Sequence, residues 1–139
     1  MRAINFTVYG HPAPQGSSRA FMPKGARFPV VTSTNPKLKP WRQQVAGVAL
    51  SLNEACFEAH VPLKMIADFY FDRPKSVTTK KRPGMTSAPD VDKLARSCCD
   101  ALKSILLYDD AQVVNLHARK FYGGPERVEI TICEYWVEA

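Results

Sequence analysis

Five aspartates fall within 21 residues of this chain: Asp90 and Asp92 in Pro89-Asp90-Val91-Asp92, then Asp100, then Asp109-Asp110 ahead of Ala111-Gln112-Val113. Carboxylate oxygens are the hard ligands with which proteins hold Mg2+ beside a phosphate. Two carboxylates about 5 Å apart repel by roughly 3 kcal/mol at an effective dielectric constant near 20, so a convergent set requires a cation or a raised pKa. Mg2+, with Mn2+ as the alternative ion, satisfies that requirement. It would activate water and offset charge on a phosphodiester being hydrolysed.

A plainer account fits each piece separately. Asp is a favoured N-cap, an acid in the first helical turn complements the helix dipole, and a paired Asp suits a turn. Spacing therefore leaves convergence open. A helix of about 16 residues after Asp90 would be about 24 Å long. Asp90 and Asp110 can then meet only if the following strand runs back beside the helix or a partner subunit brings the groups together.

The surroundings of these acids are cationic. Among 139 residues the net charge is +6, and residues 1 to 53 hold seven Lys or Arg with no Asp or Glu. The remainder sums to −1. Arg19, Lys24 and Arg27 lie in the Pro- and Gly-rich stretch 10 to 40, and Lys75, Lys80, Lys81 and Arg82 lie in a second loop directly before the acids. Flexible cations in such loops can reach phosphates, so a polyanionic partner is expected. Lys93, on the acidic helix itself, belongs to the same candidate set.

The elements that must position these groups can be drawn from periodicity. Ile4, Phe6 and Val8 alternate with polar residues and predict a strand over 3–9. A long loop with one short strand near 27–32 follows. Trp41, Val45, Val48, Ala49, Leu52 and Cys56 recur at helical spacing after Pro40 and predict a helix over 38–59, with Trp41 as a core anchor. Period two returns at 61–72, ending in Asp72, which could join a metal site or simply pair with Arg73. A second helix opens at Asp90 with the stripe Val91, Leu94, Ala95, Cys98, Leu102, Ile105 and Leu106, and it stacks Asp92, Arg96 and Asp100 on another face. Strands 112–121 and 126–137 around Gly123-Gly124-Pro125 predict a hairpin. The expectation is one α/β (α+β) domain over 1–139, a mixed sheet of about four strands packed with two main helices.

Cys56, Cys98, Cys99 and Cys133 lack C-x-x-C spacing, and His11, His60 and His117 stand apart, so buried thiols and isolated imidazoles are expected rather than zinc. No apolar run approaches the roughly 20 residues of a membrane span, and the first residues lack a signal-peptide pattern, so a cytoplasmic protein without membrane contact is expected.

The block Pro89-Asp90-Val91-Asp92-Lys93-Leu94-Ala95-Arg96, with Asp100-Ala101-Leu102 and Leu107-Tyr108-Asp109-Asp110-Ala111-Gln112-Val113, resembles the P-D-x-D-N-L-x-K, D-A-L and D-D-A-Q-V pattern of RusA-type Holliday junction resolvases of bacteria and their phages. Phe6 to Pro14, Arg19 and Lys39-Pro40-Trp41-Arg42 are similar to that family's N-terminal half. The resemblance implies a RusA-like homodimer that resolves four-way DNA junctions by Mg2+-dependent paired nicks, in recombination and repair. It implies that Asp90, Asp92 and Asp110 are the metal-binding carboxylates, while Asp100 and Asp109 match other acids of the family whose roles, catalytic or supporting, it leaves open. Two positions depart from the pattern. Lys93 replaces the usual Asn, and Arg96 stands where the family has a catalytic-site lysine; Arg can stabilise a phosphate but cannot donate a proton at neutral pH. The rival expectation is a non-catalytic DNA-binding adaptor in which the acids are caps and ion pairs.

Overall fold

The computed structural model describes residues 1–16, 18–22, 24–33 and 35–137, and for 18–21 and 30–33 the backbone alone. In chain order the elements are β1 (Ala3–Tyr9), β2 (Ser18–Phe21), β3 (Val30–Ser33), α1 (Leu38–Ser51), β4 (Leu63–Phe71), α2 (Val91–Leu102), a 3-10 turn (Asp110–Gln112), β5 (Val113–Tyr122) and β6 (Arg127–Glu134). Four strands form a mixed sheet in the order β1-β6-β4-β5, and β2 pairs with β3 in a separate antiparallel ribbon.

Alternation explains why one face of the sheet is covered. Ile4, Phe6 and Val8 of β1, Leu63 to Phe71 at every second position of β4, and Val128, Ile130 and Ile132 of β6 are buried together with Trp41 and Val45 of α1 and Leu94, Cys98 and Leu102 of α2. Trp41 is a core anchor, as its place at the head of an apolar stripe predicts. The other face carries a self-paired ladder: Arg119 makes a bidentate ion pair with Asp68 at 2.8 Å, Tyr70 stacks on Phe121, and Arg127 lies 3.8 Å over the Tyr70 ring.

Four expectations are corrected. The first helix stops at Ser51 rather than near 59, because Asn53 adopts a left-handed φ of 55°, a conformation that ends helices. The chain then re-enters the core through Phe57, whose N–H donates to Leu106 O at 2.8 Å. Strands five and six form no hairpin: β4 lies between them, parallel to β5 and antiparallel to β6. β4 buries Leu63, Met65, Ala67 and Phe69 completely on its helix-facing side, which demands a central position. The Gly123-Gly124-Pro125 turn instead steps over the end of β4. Gly123 N donates to Phe71 O, and a Cβ at Gly124 would stand 2.5 Å from Asp72 Oδ1, so the glycine there answers a close approach.

The ribbon β2/β3 replaces the single short strand expected near 27–32, and α2 is 12 residues rather than 16. Ser104 takes a φ of 68° just beyond it, closing the turn that leads to Asp109.

Candidate active site

The strand after the acidic turn does run back beside α2. Lys120 near the end of β5 donates its Nζ to Ser87 O and Pro89 O, both at 2.9 Å, immediately before Asp90 at the head of the helix. Asp110, at the start of the same segment, therefore lies toward the other end of α2. Asp92, Ala95, Arg96 and Cys99 of α2 join Asp110, Val113 and Leu116 to line one cleft of about 300 Å3. Seven residues of helix separate Asp92 from Cys99, about 10 Å along the axis.

Asp109 and Asp110 have different duties. Asp109 Oδ1 accepts from Ala111 N at 2.8 Å, while the Gln112 side chain accepts from Tyr108 N at 2.7 Å and Asp109 N at 3.0 Å, a reciprocal cap. The Ala111 N–H, with Asp110 and Lys103 adding to it, holds the Asp109 carboxyl below its ordinary range. Gln112 is itself buried and donates Nε2 to Glu58 O and Val61 O. The turn is thus pinned to the 58–61 loop through Gln112, and Asp109 is occupied in shaping it. Asp110 is left to the cleft.

At the head of α2 the plainer N-cap account is not realised. Asp90 has extended cap geometry, yet its side chain makes no capping hydrogen bond. It stands 3.7 Å from Lys93 Nζ instead, and both line a second pocket of about 460 Å3 with His11, Gln15 and Lys37. Asp90 and Lys93 therefore share one side of the helix while Asp92 and Arg96 share another. Among the described residues no three Asp, Glu, His or Cys side chains of a single chain converge tightly enough to hold an ion by themselves.

The donor set nevertheless fits Mg2+. That ion is usually held by one or two carboxylates, with waters and substrate phosphate completing its shell. Asp92 and Asp110, which line one cleft, would supply two. Cys99, beside them, does not compete: burial first, then the charges of Asp110 and Asp100, push its thiol up to about 11, so it remains protonated and neutral at pH 7. Asp100 faces elsewhere, into a groove with Lys39 and Arg42 of α1.

The remaining acids and histidines lie apart. Asp72 follows the end of β4, which the parallel register places beside Tyr122, about 30 Å along the strands from Asp110. His11 Nδ1 lies 2.9 Å from Glu126 Oε1 and its ring meets Phe71 edge-on. The four cysteines are free, Cys98 and Cys99 buried.

The basic set divides by exposure and partner. Lys24, Arg27, Lys75, Lys80 and Lys81 are exposed. Arg19 lies on β2, where the side chains are outside the described residues. Arg82 is half-buried and donates to Tyr122 Oη at 3.1 Å, so its guanidinium is partly engaged within the protein. Sequence reasoning passed over Lys120, Tyr122 and the fourfold role of Gln112. The available signal was Lys120 itself, a cation that the period of β5 puts on the same face as Ala118, toward the helices.

The model of the endodeoxyribonuclease RusA family matches residues 10–133. A protein of Bacillus subtilis (strain 168), the uncharacterized YqaN, is 36% identical over 144 aligned positions covering 96% of this chain and 98% of its own length. The crossover junction endodeoxyribonuclease rusA of Lactococcus phage r1t is 38% identical over 82 positions, covering 57% of this chain and 60% of the phage protein.

Proposed function

This chain belongs to the RusA endodeoxyribonuclease family and is a nuclease, and we propose that it resolves four-way DNA junctions as a Mg2+-dependent homodimer in recombination and repair. The observation that carries this is the cleft shared by Asp92, Arg96 and Asp110. The similarity to a phage crossover junction endonuclease supports the choice of substrate.

Asp92 and Asp110 would hold the ion, with Asp90 contributing from the adjoining side of the helix head. An ion held there would supply a water of lowered pKa and offset charge on the scissile phosphate. Arg96, one helical turn from Asp92, places a permanent positive charge in the same cleft to stabilise negative charge building on the phosphate oxygens. It holds its protons throughout. The leaving oxygen must therefore take its proton from water or from a lysine rather than from Arg96. Ala95, Cys99, Val113 and Leu116 give the cleft an apolar wall, which strengthens the electrostatics within it.

The dimer is assigned to the free edge of β5. That ten-residue strand ends the sheet, and it exposes Val114 to 61% and Leu116 to 48%. Long apolar edges invite pairing unless something covers them. A second copy on this edge would set the two clefts close together, as paired nicks in like-polarity strands require. Val114→Lys, on the same edge but outside the cleft lining, is expected to convert a sedimenting dimer to monomer and to lower junction cleavage by at least about tenfold. A variant that sediments as a dimer and cuts normally would remove β5 from the interface.

The grip on DNA is assigned to the exposed cations of the 10–40 and 73–82 loops with Lys93. If about five phosphates are neutralised, the logarithm of the binding constant should fall against the logarithm of salt with a slope of about −4.5. A flat response would exclude these loops as the grip. A panel of junction, flap, duplex and single-stranded DNA tests the function itself: the junction should be cut in preference to the others. No helix among the described residues is long and apolar enough to cross a membrane, and a cytoplasmic setting is part of the proposal.

A further inference from the structure

The loop between β4 and α2 contains five cations, and they do unlike things. Arg73 turns inward: Nη1 donates to Thr78 O and Arg82 O, Nη2 donates to Pro83 O, and its guanidinium carbon lies 4.3 Å over the Tyr122 ring. Arg82 donates Nη1 to Tyr122 Oη at 3.1 Å, and Ser87 Oγ lies 3.4 Å from the same hydroxyl. Within the loop, Arg82 N donates to Thr78 O and Lys81 N to Thr78 Oγ1. Two residues earlier on β5, Lys120 fastens the carbonyls of Ser87 and Pro89. Lys75, Lys80 and Lys81 are left exposed on the outside of this framework.

A segment of this length with no secondary structure of its own would ordinarily be floppy, and ordering it on binding would cost affinity. Here one aromatic side chain receives an arginine on its face, an arginine on its hydroxyl and a serine from the far end of the loop. We propose that Tyr122 is a positioning residue for substrate binding: it holds the 73–87 loop as a preformed arm that presents Lys75, Lys80 and Lys81 to the backbone phosphates of one DNA duplex. The proposal rests on the junction-binding function above. It assigns the loop's arginines to holding the arm and its lysines to reaching the ligand.

The test is the salt dependence of binding to a synthetic four-way junction, read alongside turnover at saturating DNA. Replacing Lys75, Lys80 and Lys81 together by Ala should make the log-log slope shallower by about 2.7, or about 0.9 for each phosphate left without its lysine. Tyr122→Leu should weaken binding by about tenfold or more, make the slope shallower in the same direction, and leave kcat unchanged. Added to the lysine triple variant, it should weaken binding no further. Tyr122→Phe, which keeps the ring under Arg73 and loses only the hydroxyl, should weaken binding by about fivefold. It decides the matter alone if Tyr122→Leu does not fold. Wild-type affinity and slope in the Tyr122 variants, or a loss that adds in full to that of the lysines, overturns the proposal while leaving junction binding intact. A wild-type protein that fails to bind the junction overturns the functional reading and the proposal with it.

Discussion

Asp92→Asn is expected to bind a four-way junction as tightly as the wild type and to cut it on the order of 10²–10³-fold more slowly, or not at all. The substitution keeps the size of the side chain and removes its charge. On the plainer account Asp92 is a first-turn acid that only complements the helix dipole, and its loss would cost about 0.3–1 kcal/mol of stability with no loss of chemistry. On the metal account its loss removes one of the two carboxylates that share the cleft with Arg96. Binding and thermal midpoint should both stay close to wild type, since one negative charge fewer cannot repel DNA. Asp90→Asn should likewise bind without cutting. An active Asp92→Asn enzyme would falsify the assignment of the cleft.

Gln112→Ala is expected to be the most destabilising single change near the site. Its side chain is 7% exposed, accepts from Tyr108 N and Asp109 N, and donates to Glu58 O and Val61 O. Truncation strands these backbone groups together, at a cost of about 2–4 kcal/mol. Thermal unfolding should show a Tm lowered by about 10 °C for a chain of this size. Because the same bonds set the Asp109-Asp110 turn, cleavage should fall even where the protein is still folded. A variant that melts with the wild type would mean the turn is held by something else. The Asp109 cap adds a pH signature: its carboxyl titrates below the ordinary value of 3.8 in the fold, so its stabilisation is complete above that value and is lost as the pH falls below it.

Periodicity carried much of the fold. Ile4, Phe6 and Val8, the strict alternation through β4, and the stripe of α2 each locate an element and its buried face, because burial on one face imposes a period. Neighbour order is a different kind of information. Gly123-Gly124-Pro125 is good hairpin chemistry, yet β4 takes the place between the two strands, and nothing local to the turn specifies that choice. The helix end at Asn53 was legible in principle, since Asn tolerates the left-handed region, but the apolar residues beyond it continued the helical spacing.

The site divides in the same way. The residue types of the acidic stretch set the expectation of metal chemistry, which stays part of the proposal, and the resemblance of its motifs matches the family found for residues 10–133. What local sequence left open was the return of the chain beside α2. The structure answers it with Lys120 at the head of the helix and Asp110 toward its far end, Asp92 and Asp110 sharing one cleft and Asp90 another. The roles of Gln112 and Tyr122 depend on backbone carbonyls and guanidinium groups brought from distant segments, which no spacing within 108–122 encodes.

The central claim is tested most directly by mapping nicks on a synthetic four-way junction labelled on each strand in turn, with Mg2+ and with the metal chelated. The expected result is a pair of symmetrically placed nicks in two strands of like polarity when Mg2+ is present and intact strands when it is absent. Junction bound but uncut in Mg2+ would instead describe an adaptor, and scattered nicks through plain duplex would describe a nuclease for another substrate; either result contradicts the account.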